Sequence, residues 1–308
     1  MYKTIKNSRI IERFGKVIVT LLLLIFCFIQ FSAIDWQQFK KIQLTQPLYF
    51  IVALILIIFN IAFEFFKWNL IVNKVKVVTS TKVRISSFFA GTATAFITPN
   101  LLGNFIGRIY YFERKHRGKI ITHTLLSNGA QFISSMIGGI ISILILGNKV
   151  KMLQSFPSLL FIFFLLVLLL IYFVFDKIFK SHKKLNRISL TLQNTTLLRT
   201  KFILLSLTRH LVFTSQYVCV LVSFGVNFDT EIYLYIFQIF FWSTLIPSIW
   251  IGKLFIRESV ALYLLSTIIS SGAIIICSAF LVWCMNQVFP ALVSLIFIRK
   301  KNVLHVSN

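Results

Sequence analysis

Apolar residues fill this chain in runs of about 18 to 25, the length a helix needs to cross a hydrocarbon core about 30 Å thick. Short basic stretches separate the runs. Only helices and closed barrels satisfy their own backbone polar groups in lipid. The runs are continuous and do not alternate with polar positions, so they predict helices and not barrel strands. Full spans are expected over residues 17–34, 48–72, 120–147, 157–175 and 202–224. The last apolar stretch, 259–298, is too long for one span, and Asn286 and Pro290 are the expected points of interruption. It would then form either one span and a half-helix or two spans.

Two further apolar segments break the pattern. Residues 85–105 are interrupted by Pro99, Asn100, Gly103 and Asn104. Basic stretches flank this segment on both sides, with Lys74, Lys76, Lys82 and Arg84 before it and Arg108, Arg114, Lys115, Arg117 and Lys119 after it. The positive-inside rule puts both in the cytoplasm, which a single crossing cannot do. The segment is therefore predicted to dip in and return, turning at residues 98–103, where proline lacks a donor and glycine tolerates unusual dihedrals. Residues 232–258 repeat the arrangement with the opposite sense. They follow an acidic loop with Asp229 and Glu231, and Pro247 and Gly252 break them. Paired interrupted segments of opposite orientation point to an inverted repeat with a binding site where the breaks meet.

The expected fold is thus an all-α integral membrane protein, a helical bundle of about 6–8 spans with two broken re-entrant hairpins related as inverted repeats. Residues 1–16 form a basic cytoplasmic lead, 17–298 a single polytopic membrane domain, and 299–308 a basic tail. The first repeat covers about 48–147 and the second about 202–284.

Composition agrees with that pattern. Apolar residues make up 57% of the 308 and charged residues 13%, and the mean hydropathy is +0.86. A soluble domain carries about a quarter charged residues. Thirty-two basic against eight acidic residues give +24. In a soluble chain that would suggest nucleic acid. Here the cations lie between spans, which predicts contact with anionic headgroups and excludes a nucleic-acid partner. The topology leaves only Lys40, Lys41, Lys149 and Lys151 outside and puts the N-terminus in the cytoplasm. Residues 17–34 could pass for a signal peptide, but the long basic lead and Phe31 favour a retained helix. Cys27, Cys219, Cys277 and Cys284 fall within apolar runs, without the spacing of a metal site.

Ionisable groups at membrane depth are costly and need a partner or a cavity. Glu64 and Lys67 stand three apart on one helical face and can neutralise each other. Arg209, beside His210, lies near its span's start and is expected to snorkel to the cytoplasmic interface. Arg257 and Glu258 are adjacent and should find separate partners. Arg108, Lys253 and Arg257 each follow a proline–glycine break, where free backbone donors and a positive dipole end suit an anion. The alternative for these three is anchoring to headgroups. The natural anion in a bilayer is a lipid phosphate. Metalloprotease, nucleophile-elbow, P-loop and Asp-rich signatures are missing, and no histidine pairs with a carboxylate at ligand spacing. No enzyme activity, cofactor or metal is expected.

Thr98, Pro99, Gly103, Asn104 and Arg108 together resemble the first signature of the lysylphosphatidylglycerol synthase transmembrane-region family. These are the flippase-type membrane domains of multiple peptide resistance factors and their stand-alone relatives. Pro247, Gly252, Arg257 and Glu258 resemble the second signature, and Asn60, Glu64, Lys67 and Trp68 the second-helix pattern of bacterial stand-alone members. The resemblance covers about residues 10–298. It implies a bacterial cytoplasmic (inner) membrane protein with inverted repeats that moves anionic or modified phospholipids, or polyprenyl-type lipids, between leaflets. Asn104 departs from the pattern, since many relatives carry glutamate there, which puts an ion-coupled role of that position in doubt. The soluble aminoacyltransferase domain of the full-length synthases is not found in these residues either.

The expected function is therefore a lipid transporter. Arg108 and Arg257 would hold the phosphate, Lys253 would add positive field, and Glu64 and Glu258 would pair with the cations of the empty site. The rivals are a membrane enzyme or subunit in lipid-linked group transfer, and a non-transporting scaffold for envelope synthesis.

Overall fold

The computed structural model describes residues 36–98, 103–147, 158–180, 182, 185–246 and 252–298, with backbone alone at 36, 97, 158 and 252–254. The expected first span, both basic ends, Pro99 and Pro247 lie outside these residues. After a short 3-10 turn, Trp36–Lys41, come α1 (Pro47–Val75), α2 (Thr81–Ile97), α3 (Gly103–Ile109), α4 (Arg114–Leu146), α5 (Ser158–Ile178) and α6 (Asn186–Thr191). The order continues with α7 (Thr196–Ser223), α8 (Thr230–Leu245), α9 (Gly252–Leu265), α10 (Gly272–Trp283), a π turn (Cys284–Val288) and α11 (Phe289–Phe297). No strand occurs among the described residues.

Local chemistry sets the helix ends. Proline opens α1 in its first turn, where its missing N–H costs nothing. Lys76 closes α1 in a left-handed conformation, φ 56°, and donates its N–H to the Asn73 carbonyl. Ser80 caps α2, Asp229 caps α8 and Ser271 caps α10, each through its side-chain oxygen.

Helices α1, α4, α7, residues 159–178 of α5, and the run Gly272–Phe297 are long and apolar enough to cross a membrane. They pack as a bundle in which α1 runs antiparallel to α7 and α4 contacts α1, α5, α7 and α8. Large apolar side chains remain exposed along α1 (Leu48, Ile51, Ile55, Ile58), α5 (Leu159, Leu160, Phe163, Leu166) and α11 (Leu292, Leu295, Ile296). Such a surface suits acyl chains and not water.

The two broken segments start and finish at opposite ends of this bundle. Trp68 of α1 donates its indole N–H to the Arg84 carbonyl at the start of α2, 3.0 Å. Its ring also meets Phe112, just past α3, edge to face at 5.7 Å. The α2–α3 pair therefore leaves and returns near the Val75 end of α1, where Lys74 also reaches the Asn194 carbonyl. At the other end, Thr45 and Gln46 donate their N–H groups to the Ser223 carbonyl ahead of α8. Ser271, past α9, bonds Gln38 at that same end.

One expectation needs correcting. The stretch 259–298 is not cut at Asn286 and Pro290. The interruption is at residues 266–271, between α9 and α10, and the helix then continues through both residues. Proline inside a helix removes a donor and crowds the carbonyl four residues back. The π turn at Cys284–Val288 absorbs that conflict by inserting a residue into the ladder, with the Phe289 N–H bonded to the Cys284 carbonyl.

Candidate functional site

The α2–α3 hairpin is stitched across its break by two threonines. Thr98 accepts the Gly103 N–H at 2.6 Å and donates to the Thr94 carbonyl at 2.8 Å. The single Thr94 hydroxyl proton is shared between the carbonyls of Gly103, 2.5 Å, and Ala90, 2.8 Å. Gly103 and Gly107 let the two backbones touch, since a Cβ on either would fall on a carbonyl of α2. This close approach turns Arg108, only 2% exposed, towards α1.

There it joins a buried ionic cluster centred on Glu64. One carboxylate oxygen lies 2.8 Å from the Lys67 ammonium and 3.2 Å from Arg209 Nη1, and the other lies 3.3 Å from Arg108 Nη2. Lys67 also donates to Ser206, 3.3 Å. Arg209 donates from Nε to Asn60, 2.6 Å, and from Nη1 to Gln131, 3.2 Å. The Arg108 guanidinium stands 4.9 Å from the centre of the Trp68 ring and 5.6 Å from that of Phe88. Its Nε and the Asn104 side-chain oxygen have no hydrogen-bond partner. Both groups lie over the bare backbone of Gly91, where a Cβ would approach Arg108 Cγ to 2.6 Å and Asn104 Oδ1 to 2.8 Å. Glu64 is eleven residues from the end of α1. At 1.5 Å per residue that is about 16 Å from the helix end, near the middle of a 30 Å core.

A chain of carboxamides leads away from the cluster. Asn60 donates to Asn286 in the π turn, Asn286 donates to Gln216 at 2.6 Å, and Gln216 donates to the Ala53 carbonyl at 3.0 Å. Next to Gln216 is Tyr217, fully buried, with an unpartnered hydroxyl. It lies within electrostatic reach of Arg257 and Glu258 on α9. Arg257 donates to the Ala279 carbonyl at 2.8 Å, and its Nε is unpartnered. Glu258 is 4% exposed, and its Oε1 has no hydrogen bond. Among the described residues no ion pair joins it to Arg257.

The structure thus unites Glu64, Lys67 and Arg108 and leaves Arg257 and Glu258 in a second centre. The side chain of Lys253 is outside the described residues. The turns of both breaks are too; of the helices flanking them, α2–α3 packs mainly against α1, α4 and α11, and α8–α9 mainly against α4, α7 and α10. Arg209 does not snorkel to the interface. Three acceptors at depth satisfy it better than a headgroup could, because antiparallel packing sets it opposite Asn60 and Glu64. Gln131, Ser206, Gln216 and Asn286 escaped the sequence reading. The sequence signal for each is a single polar carboxamide or hydroxyl in an apolar span; at Asn286 the same signal points equally to a break. His210 faces away from the site, stacked on Phe237 at 5.3 Å, with Phe213 and Phe240 at its edges.

A bundle of apolar helices around a buried, cation-rich centre defines a multi-pass helical membrane protein with a polar site at depth. The chain belongs to the family described as the lysylphosphatidylglycerol synthase TM region, which matches residues 14–294. That description ties the family to membrane lipid. A comparison with curated proteins gives no significant match.

Proposed function

We propose that this protein carries an anionic lipid between the two leaflets of the bacterial inner membrane, with its N-terminus in the cytoplasm. The observation that carries the reading is the Glu64 cluster, in which two buried cations, Lys67 and Arg108, and the partly exposed Arg209 face one carboxylate near mid-depth. Buried charges of one sign demand a counter-ion. The anion at hand in a bilayer is a lipid phosphate, and two planar guanidinium groups can each grip it with paired donors. Glu64 holds the cations together while the site is empty and stays among them when the phosphate binds. Arg257, with Lys253 on the same helix, forms a second station across the carboxamide chain. The two broken hairpins, entering from opposite ends of the bundle, support their reading as inverted repeats that open the site to one leaflet at a time. Carriage and not group transfer is the activity proposed, with anionic headgroup lipids as partners.

The test is transport by the purified protein in vesicles, read as the rate at which a labelled anionic phospholipid becomes accessible to a membrane-impermeant reductant. Arg108→Ala and Arg209→Ala should each abolish the protein-dependent rate while the protein stays folded, Arg108→Lys should restore it in part, and Lys115→Ala should leave it unchanged. Lys115 is an exposed surface residue paired with Glu113. Unchanged rates in both arginine-to-alanine variants would overturn the proposal.

A further inference from the structure

Charge bookkeeping at the Glu64 cluster specifies the ligand more narrowly. Lys67, Arg108 and Arg209 against Glu64 leave two positive charges uncompensated. The chain has eight acidic residues. Glu113 pairs with Lys115 at the surface, and Asp176 with Arg199. Asp229 caps α8, whose first turn holds Glu231, and Glu258 lies beside Arg257 in the second centre. Glu12 and Asp35 are outside the described residues and flank the expected first span. Among the described residues, then, no acid other than Glu64 reaches the cluster, and the ligand must supply the missing charge.

A phosphodiester, as in the common glycerophospholipids, supplies one negative charge. A phosphomonoester supplies two once its second proton is lost, near pH 6. A bound diester would leave one buried cation unbalanced, and a bound monoester leaves none. The pattern of exposure also suits a terminal phosphate. Glu64 and Arg209 are the partly exposed members, with side chains 16% and 23% exposed, whereas Lys67 and Arg108 are sealed at 2%. A group entering past Glu64 and Arg209 meets Arg108 with its far oxygens, so an unesterified end makes contacts that a second ester would block. Resting on the lipid-carrier reading above, we infer that the cluster selects a lipid phosphomonoester, a dianionic headgroup, over a phosphodiester.

Competition binding to the purified full-length protein tests this, with radiolabelled phosphatidic acid as the monoester probe at about pH 7, where its second proton is largely lost. Unlabelled phosphatidic acid should displace the label at least about tenfold better than phosphatidylglycerol, a diester. The advantage should shrink as pH falls through about 6. Asn104→Asp adds one negative charge beside Arg108 without changing shape and should bring the ratio close to one. Gln131→Glu, beside Arg209, should do the same and serves as the second variant if the first does not fold. Equal or reversed affinities in the wild-type protein, or a ratio unmoved in a folded charge variant, would overturn the inference and leave the carrier reading in place. A folded wild-type protein that binds neither lipid would overturn both.

Discussion

The two ionic centres of this bundle contain similar residues and behave differently. At Glu64, charged side chains from α1, α3 and α7 converge on one carboxylate that pairs with three cations, although Arg108 Nε and Asn104 Oδ1 beside it have no hydrogen-bond partner. At Arg257 and Glu258 the two charges sit side by side in sequence, yet they form no ion pair and leave buried polar atoms unpartnered. Spacing explains the contrast. Residues three or four apart share a helical face, while neighbours in sequence point about 100° apart, so Glu64 meets Lys67 and Glu258 turns away from Arg257. Ions are brought together by helical register and by the neighbouring helix, not by closeness along the chain.

The largest test of that contrast is Glu64→Ala, which strips two buried cations and the partly exposed Arg209 of their common partner. A loss of about 3–5 kcal/mol is expected, seen as a large fall in the thermal midpoint of the detergent-solubilised protein. Next comes Gly107→Ala, which drives a methyl onto the Ala90 carbonyl and should cost about 1–3 kcal/mol. Its effect should be concentrated in α2 and α3, as faster hydrogen exchange there. Gly118→Ala is the matched control, since its Cβ meets nothing within 4 Å, and it should be neutral or stabilising by up to about 1 kcal/mol. Asn286→Leu removes the central carboxamide between the two centres and leaves its neighbours unsatisfied. About 1–2 kcal/mol is expected by the same melting assay. The smallest effect belongs to Glu258→Gln. It breaks no ion pair, and a shift within about 0.5 kcal/mol is expected. If Glu258→Gln proved as damaging as Glu64→Ala, the distinction between a paired and an unpaired centre would be lost.

Much of the fold was legible without coordinates. Long apolar runs can only be helices in lipid, so α1, α4, α5 and α7 follow from length and composition. Threonine, proline and glycine marked the first break because each alters backbone hydrogen bonding locally, and the helices on either side of it end and restart at Ile97 and Gly103. Asn286 and Pro290 carried similar signals and misled. A π turn can accommodate a proline within a continuous helix, and nothing in the local sequence separates that outcome from a true break.

By itself, then, the sequence determined the helices, the first hairpin and the Glu64–Lys67 pair, because those depend on residues a few positions apart. The tertiary structure alone decided that Arg209 turns inward and that Asn60, Asn286 and Gln216 form one chain. It also decided that Arg108 belongs with Glu64 and not with Arg257. These contacts join residues 44 to 226 positions apart in the chain. The apolar surfaces of the spans are nearly interchangeable, so hydropathy carries no record of which faces meet. A few close backbone approaches at glycine, and the antiparallel register of α1 on α7, make that choice.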